Sequence, residues 1–318
     1  MLRCLKTVTL SVVILLLVVS CKNKASKTPE TDNKVVVPAG LDSASLIQDL
    51  AYLSSEALGG REAGTPGNAL ARAYIVNRFD SLQLRKPDSG RLQPFVPGNK
   101  TTDPKGNNIL AIIPGTTYPD QYYVISAHYD HLGTKDDKIF YGADDNASGS
   151  ACLLALARYF KQHPPRHSLI LASFDAEEKG LVGSTYFVRH LPVDSSKVLL
   201  NVNMDMVSRN DKNEVYASGT YHYPFLKKYV DSIKPFTSVN VLFGHDAPTQ
   251  GHDDWTGQSD HYPFHKAKIP YIYFGVEDHP DYHKPTDTFD KVDKHFYYQV
   301  CNMIRETIVV LDRQEKLQ

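Results

Sequence analysis

Histidines and carboxylates recur in this chain where apolar runs end. His128-Tyr129-Asp130-His131 follows the run 122–127, Asp144-Asp145-Asn146 lies within 142–149, and Asp175-Ala176-Glu177-Glu178 follows 169–174. Asp205 sits between Met204 and Met206, and Asp281-Tyr282-His283-Lys284-Pro285-Thr286-Asp287-Thr288 comes after the last such run. Packed together, such carboxylates repel one another and raise one another's pKa values, whereas one or two divalent cations reverse that penalty. A mixed His and carboxylate set without Cys suits zinc and accommodates manganese or cobalt. Calcium and magnesium fit less well, because imidazole is a poor partner for hard ions. Two zinc ions about 3.5 to 4 Å apart would share one carboxylate and activate one water, and an unligated Glu beside them would take its proton.

Taken singly, the same residues have blander readings. There are 13 His in the chain, and an isolated imidazole is more often a surface or core residue than a ligand. Asp144-Asp145-Asn146 also reads as a turn and helix cap, and Glu177-Glu178 as a solvated charge pair. Two details favour chemistry. On a strand, residues i and i+2 face the same way, so Asp130 is placed to orient the His128 ring. A carboxylate at the end of an apolar strand, as at Asp205, is costly unless partnered.

The elements that would position these residues can be read from periodicity. Residues 108–113, 122–127, 168–174, 198–204 and 270–275 are short, apolar and β-branched, as strands are. Helical periodicity begins at Ser45, breaks at the glycines of 59–67, returns over 68–82, and recurs over 148–160 between two strands. The near-continuous apolar run Leu169-Ile170-Leu171-Ala172-Ser173-Phe174 predicts a central strand covered on both faces. The expected fold is a single α/β domain with a central mixed, mostly parallel twisted sheet and helices on both faces. Ligands of such sheets bind beyond the carboxyl ends of the strands, where the polar segments lie. No internal repeat or second domain boundary is visible.

The length of 318 residues and the 42% hydrophobic content suit one large domain. Lys+Arg 35 against Asp+Glu 36 leaves no global basic field to hold nucleic acid. Basic Arg3 and Lys6, an apolar run over 8–19 and the end Val18-Val19-Ser20-Cys21 predict a lipoprotein signal over 1–20. That run is shorter than the roughly 20 residues of a membrane span. Residues 21–38 would then be a lipidated Cys21 and a polar tether, and 39–318 the working domain. The protein would be exported and held by its N-terminal lipid on a bacterial membrane, facing the periplasm. Cys152 and Cys301 fall on apolar helical patterns and predict small core residues, although an oxidising compartment would permit bonding if they meet. Oligomeric state has no signal in the sequence.

Over about residues 45–311 the chain resembles the di-zinc aminopeptidase family of the MH clan, which includes aminopeptidases S and Y and the glutaminyl cyclases. The resemblance is carried, in order, by Gly60-Arg61 with Gly64-Thr65-Pro66-Gly67, by Ser126-Ala127-His128-Tyr129-Asp130, and by Gly142-Ala143-Asp144-Asp145-Asn146-Ala147-Ser148-Gly149. It continues in Phe174-Asp175-Ala176-Glu177-Glu178-Lys179-Gly180-Leu181-Val182-Gly183-Ser184, Asn203-Met204-Asp205-Met206 and Tyr282-His283. It implies two zinc ions bridged by Asp145, with His128 and Asp205 completing one site and Glu178 and His283 the other. It also implies Glu177 as general base, a cis Asp145–Asn146 peptide, Tyr282 as a donor to the oxyanion, and residues 258–264 beside the substrate pocket, with loops such as 243–255 shaping access. The implied activity is release of N-terminal amino acids from peptides with a free N-terminus. A glutaminyl-peptide cyclotransferase and a non-catalytic peptide- or metal-binding lipoprotein are the rival readings. Retention of Glu177 weighs against the second.

Overall fold

The apolar runs in the middle of the chain pair with one another, because strands buried on both faces can satisfy their backbone only within a sheet. A computed structural model describes residues 40–96 and 106–317. The expected signal, tether, Cys21 and domain start at residue 39 lie outside the described residues. Gly40–Gln318 form one unit. In chain order the elements are α1 (Ser43–Leu53), α2 (Pro66–Ser81), β1 (Leu92–Phe95), β2 (Gly106–Ile113), β3 (Tyr118–His128), a small ribbon of β4 (Thr134–Lys135) and β5 (Lys138–Ile139), and α3 (Gly149–Gln162). Then come β6 (His167–Phe174), α4 (Val182–Arg189), β7 (Val198–Met204), β8 (Glu214–Ser218), α5 (Lys227–Ile233), β9 (Asn240–Phe243), α6 (Tyr262–Lys266), β10 (Tyr271–Gly275) and α7 (Lys294–Asp312).

The main sheet has eight strands in the order β1-β2-β6-β3-β7-β10-β8-β9. Its four central strands β6, β3, β7 and β10 are parallel, while β2 joins β6 and β8 joins β10 antiparallel. The expected mixed, mostly parallel sheet is thus present. Side chains alternate across it. Ile125, Leu169, Leu171 and Val202 face a large core shared with α1, α2, α3, α5 and α7, whereas Val124, Ile170, Ala172 and Phe174 face a smaller one shared with α4 and α6. The five expected strands correspond to β2, β3, β6, β7 and β10. The outer strands β1, β8 and β9 were not expected from the sequence.

Because the central strands are parallel, the ends at His128, Phe174, Met204 and Gly275 lie along one edge of the sheet. β6 and β7 flank β3 on opposite sides, and the intervening helices α3 and α4 pack on opposite faces. That reversal opens a crevice at the strand ends. Thr65 caps α2 through Asn68 N–H, and Pro66 opens that helix. This explains why the glycine-rich break ends there. Gly60, at φ 75°, lies so close to the 133–140 loop that a Cβ would sit 2.4 Å from the Gly133 carbonyl oxygen. Cys152 on α3 and Cys301 on α7 are buried free thiols, and burial pushes the Cys301 pKa well up. Among the described residues no helix is long and apolar enough to cross a membrane.

Candidate metal centre

Five donor side chains meet in the crevice. His128 ends β3, Glu178 follows β6, Asp205 follows β7, Asp145 lies between β3 and α3, and His283 comes from the loop after β10. His128 Nε2 lies 3.2 Å from Asp205 Oδ1 and 3.5 Å from Asp145 Oδ1. His283 Nε2 lies 3.1 Å from Asp145 Oδ2 and 3.4 Å from Glu178 Oε2. Two ligands bound at about 2.0–2.1 Å with tetrahedral geometry stand roughly 3.3 Å apart, so these four separations suit donors sharing an ion. Asp145 presents one oxygen to each pair. The peptide between Asp145 and Asn146 is cis.

Electrostatics point the same way. Burial raises the pKa of Asp145, and the charges of Glu178 and Asp205 add to this against His131 and His283. Burial likewise holds Glu178 above its usual range, as it does Glu177, where Asp260, Asp205 and Glu178 add repulsion that His128 partly offsets. Burial would also raise Asp205, but His128 and Ser259 outweigh it and leave that carboxylate below its ordinary value. A crowd of acids that burial forces toward neutrality is a site that divalent charge relieves. The donor chemistry, spacing and charge therefore suit divalent cations, for which His128, Asp145, Asp205, Glu178 and His283 could supply ligands.

Asp130 lies past the end of β3 rather than on it, with Oδ1 3.5 Å from His128 Nδ1 and the Asp130 backbone carbonyl oxygen nearer, at 3.3 Å. Its larger task was not foreseen: its two oxygens accept the backbone N–H groups of Glu177 and Glu178 at 3.1 and 3.3 Å. One carboxylate thus ties the end of β3 to both glutamates after β6. Asp287 similarly accepts the N–H groups of Asp144 and Asp145. Ser259 donates to Asp205 Oδ2 at 2.7 Å and is itself held by Asn203. The only sequence signals for Asp287 and Ser259 were their places in the polar segments 281–288 and 258–264.

Arg61, in the Gly60-Arg61 motif, is the largest charged side chain buried near the site. It is 1% exposed. Its guanidinium donates to the carbonyls of Tyr129 at 2.9 Å, Tyr141 at 2.7 Å and Gly142 at 2.9 Å, and to that of Leu53. Burial lowers its pKa to about 10, with Asp145 and Asp130 opposing the fall, so it stays charged at neutral pH. A planar fork binds backbone from both site loops at once, a geometry lysine lacks. Arg61→Met should cost about 3 kcal/mol or more, since it strands buried carbonyls and removes a countercharge, and Arg61→Lys should recover only part. Urea denaturation of the zinc-free protein checks this, and an unchanged midpoint for Arg61→Met would refute the clamp.

Beside the donors lies a cavity of about 310 Å³, lined by Glu177, Tyr282, Met206, Trp255, Tyr273 and Val276 among others. Glu177 and Tyr282 thus line the same cavity as Asp145, Glu178, Asp205 and His283. The Tyr282 ring stacks on His283 with centroids 3.9 Å apart. Trp255, from the loop expected to shape access, stacks on His245 at 3.7 Å and meets Tyr273 edge-on. These contacts make a fixed aromatic wall.

The profile of peptidase family M28 matches residues 108–308. Aminopeptidase YwaD of Bacillus subtilis is 30% identical over 248 residues, which is 74% of this chain and 50% of that relative. The chain therefore spans half the length of this curated relative. Among solved structures, BSAP, a zinc aminopeptidase from Bacillus subtilis, superimposes with a TM-score of 0.65 at 19% identity, covering 84% of this chain and 94% of that one. Bacteroides thetaiotaomicron glutaminyl cyclase gives a TM-score of 0.66 at 17% identity, over 85% of this chain and 98% of that one. At these identities the two superpositions establish the shared fold.

Proposed function

The chain belongs to peptidase family M28, and from that membership we propose that it is a zinc aminopeptidase releasing N-terminal residues from peptides through a two-ion site. The observation carrying the proposal is Asp145, whose two oxygens face two separate His and carboxylate pairs. His128 and Asp205 would hold one ion, Glu178 and His283 the other, with Asp145 shared. When bound, the ions supply Lewis acidity toward the scissile carbonyl and make a water acidic near neutral pH.

The remaining steps belong to the chain. Glu177 takes a proton from the attacking water on its carboxylate and delivers it to the leaving amine nitrogen. Burial and neighbouring acids raise its proton affinity, which suits a group that must both accept and release near neutrality. Asp130 holds the backbone N–H of Glu177 and so fixes that carboxylate's starting point. The Tyr282 hydroxyl, kept neutral by burial, donates to the carbonyl oxygen as negative charge builds there. The acidic cavity favours the ammonium of a free N-terminus, and its aromatic wall receives the first side chain.

A glutaminyl cyclase shares this fold, but the duplicated donor pairs favour hydrolysis. A zinc-reconstituted assay with aminoacyl amides, N-blocked peptides and N-terminal glutaminyl peptides separates the readings. Release of free amino acids only from unblocked peptides is expected; cyclisation of glutaminyl peptides without such release would reverse the assignment, and no turnover would leave a binding protein. Export with a lipid on Cys21 is part of the same proposal. Cys21→Ser should move the protein from the membrane to the soluble fraction, and unchanged membrane association would contradict the anchor.

A further inference from the structure

His131 was assigned no role by motif or resemblance, yet its imidazole lies against the donor cluster. It is buried, with Nδ1 2.7 Å from Glu178 Oε1 and 3.8 Å from Asp145 Oδ2. Its Nε2 is buried without a hydrogen-bond partner. The ring is wedged against Gly142, where a Cβ would approach it to 2.5 Å, and Arg61 donates to the Gly142 carbonyl at 2.9 Å. This imidazole is either a further metal ligand or a hydrogen-bond donor to one.

The distances separate the two roles. Donor pairs suited to a shared ion stand 3.1 to 3.5 Å apart here, near the roughly 3.3 Å edge of a zinc tetrahedron. At 2.7 Å, His131 and Glu178 are too close for such an edge and have the length of a charge-assisted hydrogen bond. A carboxylate only accepts, so Nδ1 carries the proton. The bond occupies Oε1 and leaves Oε2, the oxygen facing His283 at 3.4 Å, free for an ion.

We propose that His131 is a positioning residue that fixes the Glu178 carboxylate for the second metal. The proposal rests on the reading of Asp145, Glu178 and His283 as one metal-binding set. Glu178 has several side-chain torsions to freeze before it can bind an ion. A hydrogen bond from a ring that is itself locked by packing removes that freedom, and outer partners of this kind are worth about 10- to 100-fold in metal affinity.

The test uses the full chain with His131→Phe, which keeps a ring without a donor, and His131→Asn, whose amide nitrogen reaches the place of Nδ1. Zinc affinities of the two sites are measured by competition with a chelator, alongside the cobalt(II) absorption spectrum and thermal melting. His131→Phe should weaken one of the two sites by about 10- to 100-fold and spare the other. His131→Asn should recover most of that loss and keep the wild-type cobalt spectrum. Should the phenyl ring prevent folding, His131→Leu carries the same expectation. Wild-type affinity at both sites in a donor-free variant would overturn the positioning role, and so would an altered cobalt spectrum in His131→Asn, which would make the imidazole a ligand. Failure of the wild-type chain to take up two ions would instead strike the underlying metal-site reading and the proposal together.

Discussion

Glu177→Gln is expected to retain both metals and the melting temperature of the parent while turning over substrate about two or more orders of magnitude more slowly. The amide has the size of the carboxylate, and the five proposed metal donors do not include Glu177, so neither packing nor metal binding has cause to change. What disappears is an acidic side chain that is outside the donor set yet lines the cavity beside Asp145, Glu178 and Asp205. The loss should fall on kcat more than on KM, because the proton transfer matters in the transition state. Steady-state kinetics with an aminoacyl amide, paired with zinc content, measures both. Undiminished turnover would remove Glu177 from the reaction, and loss of zinc would make it a ligand instead.

The second large effect is at Asp145. Asp145→Ala should abolish binding at both metal positions, whereas Asp205→Ala should cripple one and leave the other partly filled. The asymmetry follows from geometry, since Asp145 Oδ1 faces the His128 pair and Asp145 Oδ2 the His283 pair. Stability reports it too. An ion at a hundred times its Kd stabilises the fold by about 2.7 kcal/mol per site, so the wild-type melting temperature should rise with zinc and that of Asp145→Ala should not. Metal content after dialysis and melting with and without zinc measure this. Two retained ions in Asp145→Ala would exclude the shared carboxylate.

The inner fold was legible because burial writes a strong pattern. β6 is buried along its whole length and contains only His167, Ser168 and Ser173 as polar residues, and a run of that kind has few places to go other than the centre of a sheet. β1 has no such pattern: it is four residues long, contains Pro94, and alternates exposed and buried. β8 and β9 are short strands on the other margin of the sheet. The site divides along a similar line. Side chains that would meet an ion could be named, with the help of family resemblance, from their types at strand ends, and the structure gathers all five within one crevice. The groups that aim them were largely invisible, because they act on backbone. Nothing in the letters of Asp130 signals that it will accept two N–H groups 47 and 48 positions away. Nothing local to Arg61, beside the glycines of 59–67, signals that its guanidinium will lie among buried carbonyls. Local pairing rules anticipated that Asp130 lies near His128, two residues earlier, although β3 already ends at His128, and they stopped where partners become distant in sequence.

The central claim is that one carboxylate supports two ions, and it is tested most directly by counting zinc per folded wild-type chain. Native mass spectrometry of the protein, saturated with zinc and then freed of loosely held metal, should give two ions per chain. A single ion at saturation, or none, would contradict the account.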